Sequence, residues 1–401
     1  MTVMPLPRSG RLPAFVALVC IVALVAVACD SNGGDDDDGT GSSTTGESPT
    51  VDEDVSLPSV ELVFNGEGNN LNAYDPATGD SQRVITNADE DPDGRDINGQ
   101  ICFDPDAPGK FIAGEDTGQP EVPAGWGYFQ LEGAELGDLG ATQKGKLAPT
   151  YQESSDNPEM YGCGFLPDGR LVTTDVGNQA QGDGDGQLIM WFPPFDRDDV
   201  AFCKLDVAIP TAQQVLVEDD DTILVASARG PGDHGILRYR GPFPTSDDAS
   251  GGCGGTDPVG SPMADTVTKD VFIPADDLIP TTSGIVAAPD GGYYVSSVFN
   301  GVIAEYDAGG GYVRTILEPP EGEVLSDQTF STGTPLGLGV DSTGNLYFAD
   351  IGVVITADSI GPGESGSLQT IRFDNGEPQP PEVLAFDLAF PDGIGIWFPT
   401  P

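Results

Sequence analysis

Gly337-Leu338-Gly339-Val340-Asp341-Ser342-Thr343-Gly344-Asn345-Leu346-Tyr347-Phe348-Ala349-Asp350 carries the pattern that organises the whole chain. A short run of strand formers ends at Val340, a polar turn with glycine follows, and a second run leads to Asp350. The same unit recurs at Gly99 to Ala113, Gly162 to Thr174, Gln213 to Ser227 and Gly284 to Ser297, with turns such as Pro167-Asp168-Gly169 and Pro289-Asp290-Gly291. Self-similarity at this spacing is the signature of a repeat architecture.

A third run follows each second one, at Leu71 to Tyr74, Trp126 to Phe129, Leu188 to Trp191, Ile236 to Tyr239, Val302 to Tyr306 and Leu368 to Phe373. Outer strands are expected at Gln82 to Thr86, Ala141 to Leu147, Phe202 to Val207, Val271 to Ile273, Val313 to Leu317 and Val383 to Phe386. The unit that begins at Val60 lacks a first strand, and the missing piece stands at the far end, in Gly393 to Phe398. The expectation is an all-β, six-bladed β-propeller spanning residues 59–401, with its first blade closed by the C-terminal strand. A two-sheet sandwich is the competing arrangement, and sandwiches rarely repeat one turn pattern six times.

Composition bounds the function classes. The 401 residues hold 16 Lys and Arg against 65 Asp and Glu, a formal net charge of −49. That excludes a basic nucleic-acid face and docking on anionic lipid by charge. It suits a saline environment or an acidic proteome equally. With 38% hydrophobic residues a core is still within reach.

Arg8 and Arg11, then the apolar run Leu12 to Ala28, read as an export signal over residues 1–28. Ala26-Val27-Ala28-Cys29 resembles the lipobox of bacterial lipoproteins, which implies lipidation of Cys29 and a membrane partner reached through that anchor. Residues 29–58, with Asp35 to Asp38 and a Gly/Ser/Thr-rich stretch, read as a disordered acidic tether. The expected location is the cell membrane, facing the extracellular or periplasmic side.

The Gly337 to Asp350 segment resembles units of NHL-repeat propellers and of the senescence-marker/gluconolactonase family of six-bladed propellers. In the latter family a divalent cation, often calcium, sits on the axis, held by a Glu and by Asn or Asp side chains just before the glycine that opens an innermost strand. Two positions match, Asn98 before Gly99 and Asp392 before Gly393. The corresponding positions Tyr161, Ala212 or Gln213, Ser283 and Leu336 depart from the pattern, and no Glu occupies the expected place. The turn-chemistry reading of Asn98 and Asp392 is that they cap strand-entry turns.

Innermost strands start at the end where second and third strands are joined, so the joining loops surround one mouth. They carry Asn65, Glu67, Glu115, Asp116, Asp175, Asn178, Arg229, His234, Asn300 and Asp350. Carboxylates there suit Ca²⁺ or another hard divalent cation. Gly182-Asp183-Gly184-Asp185-Gly186 has the Asp spacing of part of a calcium loop without its distal Glu. His234 is the one histidine, so it lacks a histidine partner for metal or acid–base work. No G-x-S-x-G elbow, phosphate loop or CxxC is present.

Beyond Cys20 and Cys29 four cysteines remain, an even number for an oxidising compartment. Three pairings are open, and a four-thiolate zinc site is an alternative with irregular spacing. Cys102–Cys163 is preferred because both lie on innermost strands of adjacent units, which leaves Cys203–Cys253 to tie the long loop Pro244 to Pro262 to the preceding blade. Two functions follow as expectations. One is a lipoprotein whose propeller binds a small-molecule or protein ligand, with no catalytic motif. The other is a metal-dependent hydrolase of the gluconolactonase kind.

Overall fold

The computed structural model describes residues 55–91, 94–115, 125–147, 159–177, 186–229, 234–356, 360–363 and 365–399. Cys29, the acidic tether up to residue 54, Asp116, Asn178 and the loop 182–185 lie outside these residues. The described strands form six antiparallel blades around one axis. Blade 1 runs from the innermost Ile394–Trp397 through Leu62–Glu67 and Asn70–Tyr74 to Ser81–Ile85. Blade 2 is Ile97–Phe103, Lys110–Glu115, Gly125–Glu132 and Gly140–Leu147. Blade 3 starts with Met160–Phe165, Leu171–Asp175, Gly186–Trp191 and Phe202–Ile209. Blade 4 is Ala212–Asp219, Thr222–Ser227, Gly235–Arg240 and Thr268–Pro274. Blade 5 is Thr282–Ala287, Tyr293–Ser297, Val302–Tyr306 and Tyr312–Leu317, and blade 6 is Pro335–Val340, Leu346–Asp350, Gly366–Ile371 and Glu382–Leu388.

The ring closes as the repeat arithmetic requires. Ile394–Trp397 pairs with the second strand of blade 1, from Leu62↔Trp397 to Asn65↔Ile394. It also touches the innermost strands of blades 2 and 6. Second strands are covered on both faces by neighbouring blades, so they are buried at every position rather than at alternate ones. Trp397 packs edge-on against Phe103 and donates its indole N–H to the Pro58 carbonyl at 3.0 Å. Leu57 lies against Gly109, and Gly133 N–H donates to the Ser56 carbonyl. The chain thus enters the propeller at the end where innermost strands finish.

Turns at that same end repeat one device. In Asp341-Ser342-Thr343-Gly344-Asn345 the Asp341 carboxylate accepts the N–H groups of Thr343 and Asn345 and the Tyr347 hydroxyl, while Gly344 takes a φ of 86°. Burial opposes ionisation of Asp341, but hydrogen bonds from Thr343, Asn345 and Tyr347 outweigh it and hold the carboxyl below its ordinary range.

Both preferred disulfides are present: Cys102–Cys163 joins blades 2 and 3, and Cys203–Cys253 holds the long loop. That loop departs from a plain four-stranded blade. Its strands Gly255–Thr256 and Pro262–Met263 extend blade 3 to six strands, Met263 pairing parallel to Lys204. Lys204 and Asp257 form a 2.7 Å ion pair with both side chains almost wholly buried. Blade 4 therefore reaches back and covers an edge that would otherwise be open.

Candidate functional site

Corresponding pairs between innermost and second strands are Cys163↔Thr173, Val215↔Val225, Ile285↔Val295 and Leu338↔Phe348. The preceding residue is Gly162, Gly284 or Gly337 in blades 3, 5 and 6, but Gln214 in blade 4. Glycine there lets strands of adjacent blades approach closely. A Cβ on Gly393 would lie 1.9 Å from the Gly99 carbonyl oxygen, and one on Gly337 would lie 2.4 Å from that of Asp392.

Glutamine fills the space the glycines leave. Gln214, 1% exposed, accepts the Leu338 N–H at 3.0 Å and donates to the Leu338 carbonyl at 2.8 Å. Gln100 of blade 2 accepts from the N–H groups of Cys163 and Val215 at 3.0 and 3.3 Å, and donates to the Val215 carbonyl at 3.4 Å. Both reach past the adjacent blade to the next but one, and Gln100 also bonds the blade in between. Side-chain amides thus tie the axis together below the level of Asn98 and Asp392.

Above this level stands a ring of Asn98, Tyr161, Gln213, Ser283, Leu336 and Asp392, with Asn98 two residues before Gln100 and each of the others one residue before the glycine or glutamine of its blade. Gln213, not Ala212, takes the blade 4 place. Asp392 is buried, with Oδ2 accepting the Gly99 N–H at 2.8 Å and Oδ1 the Gly393 N–H at 2.5 Å. Burial drives its carboxyl up to about 8, against the two N–H groups and with help from the charge of Glu159. At neutral pH it is mostly protonated. Burial, with Asp392 and Glu159 facing it, holds the Tyr161 hydroxyl well above the usual tyrosine range.

Three ring members keep a buried polar atom with no hydrogen-bond partner among the described residues: Asn98 Oδ1, Tyr161 Oη and Gln213 Oε1. Asn65 Oδ1, whose amide donates to the Gly393 carbonyl at 2.8 Å, is a fourth beside them. Asn98 Nδ2 donates to Glu159 Oε1 at 3.4 Å. Glu159 is the residue that sequence reasoning missed. It stands two positions before Tyr161, on the connection into the innermost strand rather than at the glycine-adjacent place. Among the described residues no group of three acidic, histidine or cysteine side chains is arranged to hold a metal.

The remaining candidates separate. Asp350 is saturated, accepting from Thr334 N and Oγ1, Gly352 N, Ser367 Oγ and Gln369 Nε2, so it braces blade 6. Asp175 is fully buried at the end of its strand and accepts the Gly177 N–H at 3.1 Å. Glu67 is engaged by Asn72 and Ala389, and Glu115 by Gln143 and Lys146. His234 immediately precedes the third strand of blade 4, where its carbonyl accepts the Ala275 N–H. Asn300 sits away from the ring, beside Leu278, to whose carbonyl its amide donates at 2.5 Å. Tyr161 and Leu336 also pack into an apolar cluster with Val176, Val298, Ile351 and Val353 at this end of the axis.

No protein-family model matches the chain, and no curated protein matches it. Solved structures match in shape. A luciferin-regenerating enzyme is similar over 84% of this chain and 93% of its own, at 12% identity and a TM-score of 0.50. A chain of a nidogen/laminin complex is similar over 85% and 100%, at 9% identity and 0.52. A calcium-binding protein, regucalcin, from Agrobacterium tumefaciens covers 74% and 88%, at 15% identity and 0.43. At these identities the first two show the propeller fold alone.

Proposed function

We propose that this chain is an exported binding protein, lipid-anchored at Cys29, whose propeller takes a small polar ligand at the axial ring. The observation that carries the reading is the set of unpartnered atoms, Asn98 Oδ1, Tyr161 Oη and Gln213 Oε1, beside a protonated Asp392. Buried polar groups are almost always satisfied, so a cluster of orphans marks a place where a small partner is missing. The two disulfides agree with an oxidising compartment.

A metal-dependent hydrolase is the second reading, favoured by the approach of Glu159 to Asn98 and Asp392. These three would offer a hard cation two carboxylates and an amide oxygen, once Asp392 gives up its proton. A bound cation would supply Lewis-acid polarisation of a carbonyl.

Native mass spectrometry with elemental analysis of the purified chain separates the two. A retained organic molecule, lost in Asn98→Leu and Gln213→Leu, supports the first. A stoichiometric divalent cation, lost in Asp392→Ala, supports the second. Anchoring is tested apart: Cys29→Ser should abolish lipid labelling, and labelling that persists would remove the lipoprotein reading.

A further inference from the structure

We propose that a groove on blade 5, between the connections that enter and leave it and distinct from the axial ring, binds small organic cations with an apolar body. The connection from Leu317 to Pro335 is seventeen residues long and has no strand or helix of its own. Connections of that length in a compact domain usually serve function. It folds back onto blade 5 around Gly301, whose left-handed φ of 68° and missing Cβ let Phe330 and Pro319 approach; a Cβ there would lie 2.8 and 2.9 Å from them. The groove so formed is open to solvent on one side and has a volume of about 460 Å³.

Its chemistry is two-sided. Leu278, Phe299 and Phe330 form apolar walls, and Asp277, Glu318 and Glu321 stand exposed on the rim. Among the described residues no Lys, Arg or His lines it. Glu323 is already used, accepting the Ser331 N–H and hydroxyl at 2.7 Å each. Asn300 lines the groove, and its Oδ1 has no donor among the described residues. An ammonium group would meet the rim carboxylates while a ring or short chain covers the apolar walls. Charge complementarity selects that occupant over an anion or a neutral apolar molecule. Phe299 and Leu325 separate the groove from the ring, packing on the cluster that holds Tyr161 and Leu336.

The test is calorimetric titration of the purified chain with 2-phenylethylammonium and with its near-isostere 3-phenylpropionate. The ammonium should bind saturably at one site, about tenfold tighter than the anion, equivalent to about 1.4 kcal/mol. The double substitution Glu318→Gln and Glu321→Gln should weaken it about fivefold, in line with two exposed charge pairs. Val324→Lys, at a groove position 72% exposed, should also weaken it without lowering the melting temperature. Asp392→Asn should leave it unchanged. Equal affinity for the anion, no saturable binding, or indifference to the rim substitutions would overturn the groove. Loss in Asp392→Asn would place the cation at the axial ring and likewise overturn it, whereas an empty ring leaves the groove standing.

Discussion

Gln214 and Leu338 are 124 residues apart in sequence and exchange two hydrogen bonds through one side chain, 3.0 Å to the Leu338 N–H and 2.8 Å from its carbonyl. The glutamine amide does for blades 4 and 6 what a neighbouring strand does within a blade. Replacing it by leucine leaves a buried N–H and a buried carbonyl without partners, which costs about 1–3 kcal/mol for each group left unsatisfied. Gln214→Leu should lower the urea midpoint accordingly. Gln214→Glu should also destabilise, since it sets an oxygen where the amide donated. A parental midpoint in both variants would contradict the bridge.

Asp392 makes stability fall with pH. The unfolded carboxyl ionises near 4 and the folded one near 8. Below about pH 4 both states hold the proton. Between the two values only the folded state does, so the contribution declines by about 1.4 kcal/mol per pH unit and levels off above about pH 8. Asp392→Asn has no such proton. The stability advantage of the parent over this variant should therefore shrink from pH 5 to pH 8 in chemical denaturation. A pH-independent difference would mean that the carboxyl ionises normally.

Closure of the ring should couple its two ends. Trp397 is 4% exposed and packs with Phe103 and Pro58. Trp397→Ala should cost about 3–5 kcal/mol. Deleting residues 391–401 should cost more, because it strips the partner strand from Leu62–Glu67 and bares a sheet edge. A truncated chain that melts at the parental temperature would refute the pairing.

Lys204 and Asp257 should behave as a unit. Lys204→Met alone strands the Asp257 carboxylate, already committed to the Val259 and Ser261 N–H groups, in a buried site. The expected loss is about 3–5 kcal/mol, largely recovered when Asp257→Asn is added. Additive losses in a double-mutant cycle would argue against a desolvated pair.

How much of this was legible follows from what each feature depends on. The repeat of turn glycines and strand formers is local, so blades, their order and the closing strand Ile394–Trp397 could be placed from sequence. Disulfide partners followed from strand assignment. Long-range side-chain geometry was not legible. Gln100 and Gln214 look like unremarkable polar residues until the ring brings Val215 and Leu338 within reach. Asp350 looked like a mouth residue because position alone cannot reveal that five donors converge on it. Glu159 was overlooked because it enters from a connection, where the repeat gives no register. The arm that extends blade 3 was hidden because Gly255–Thr256 and Pro262–Met263 are too short for a periodic signal.

Ser56, Leu57 and Pro58 dock beside Gly133, Gly109 and Trp397, at the opposite end from Asp392 and the groove. An anchor ahead of Val55 would fix which way the disc faces. The turns around Gly109 and Gly344 would look toward the bilayer, and the ring and groove would look out into the medium. In a chain whose formal net charge is −49, an acidic body would be repelled by anionic headgroups and would stand off from them rather than lie flat. Solutes arriving from outside would then meet the ring and groove first, with no lipid surface in the way.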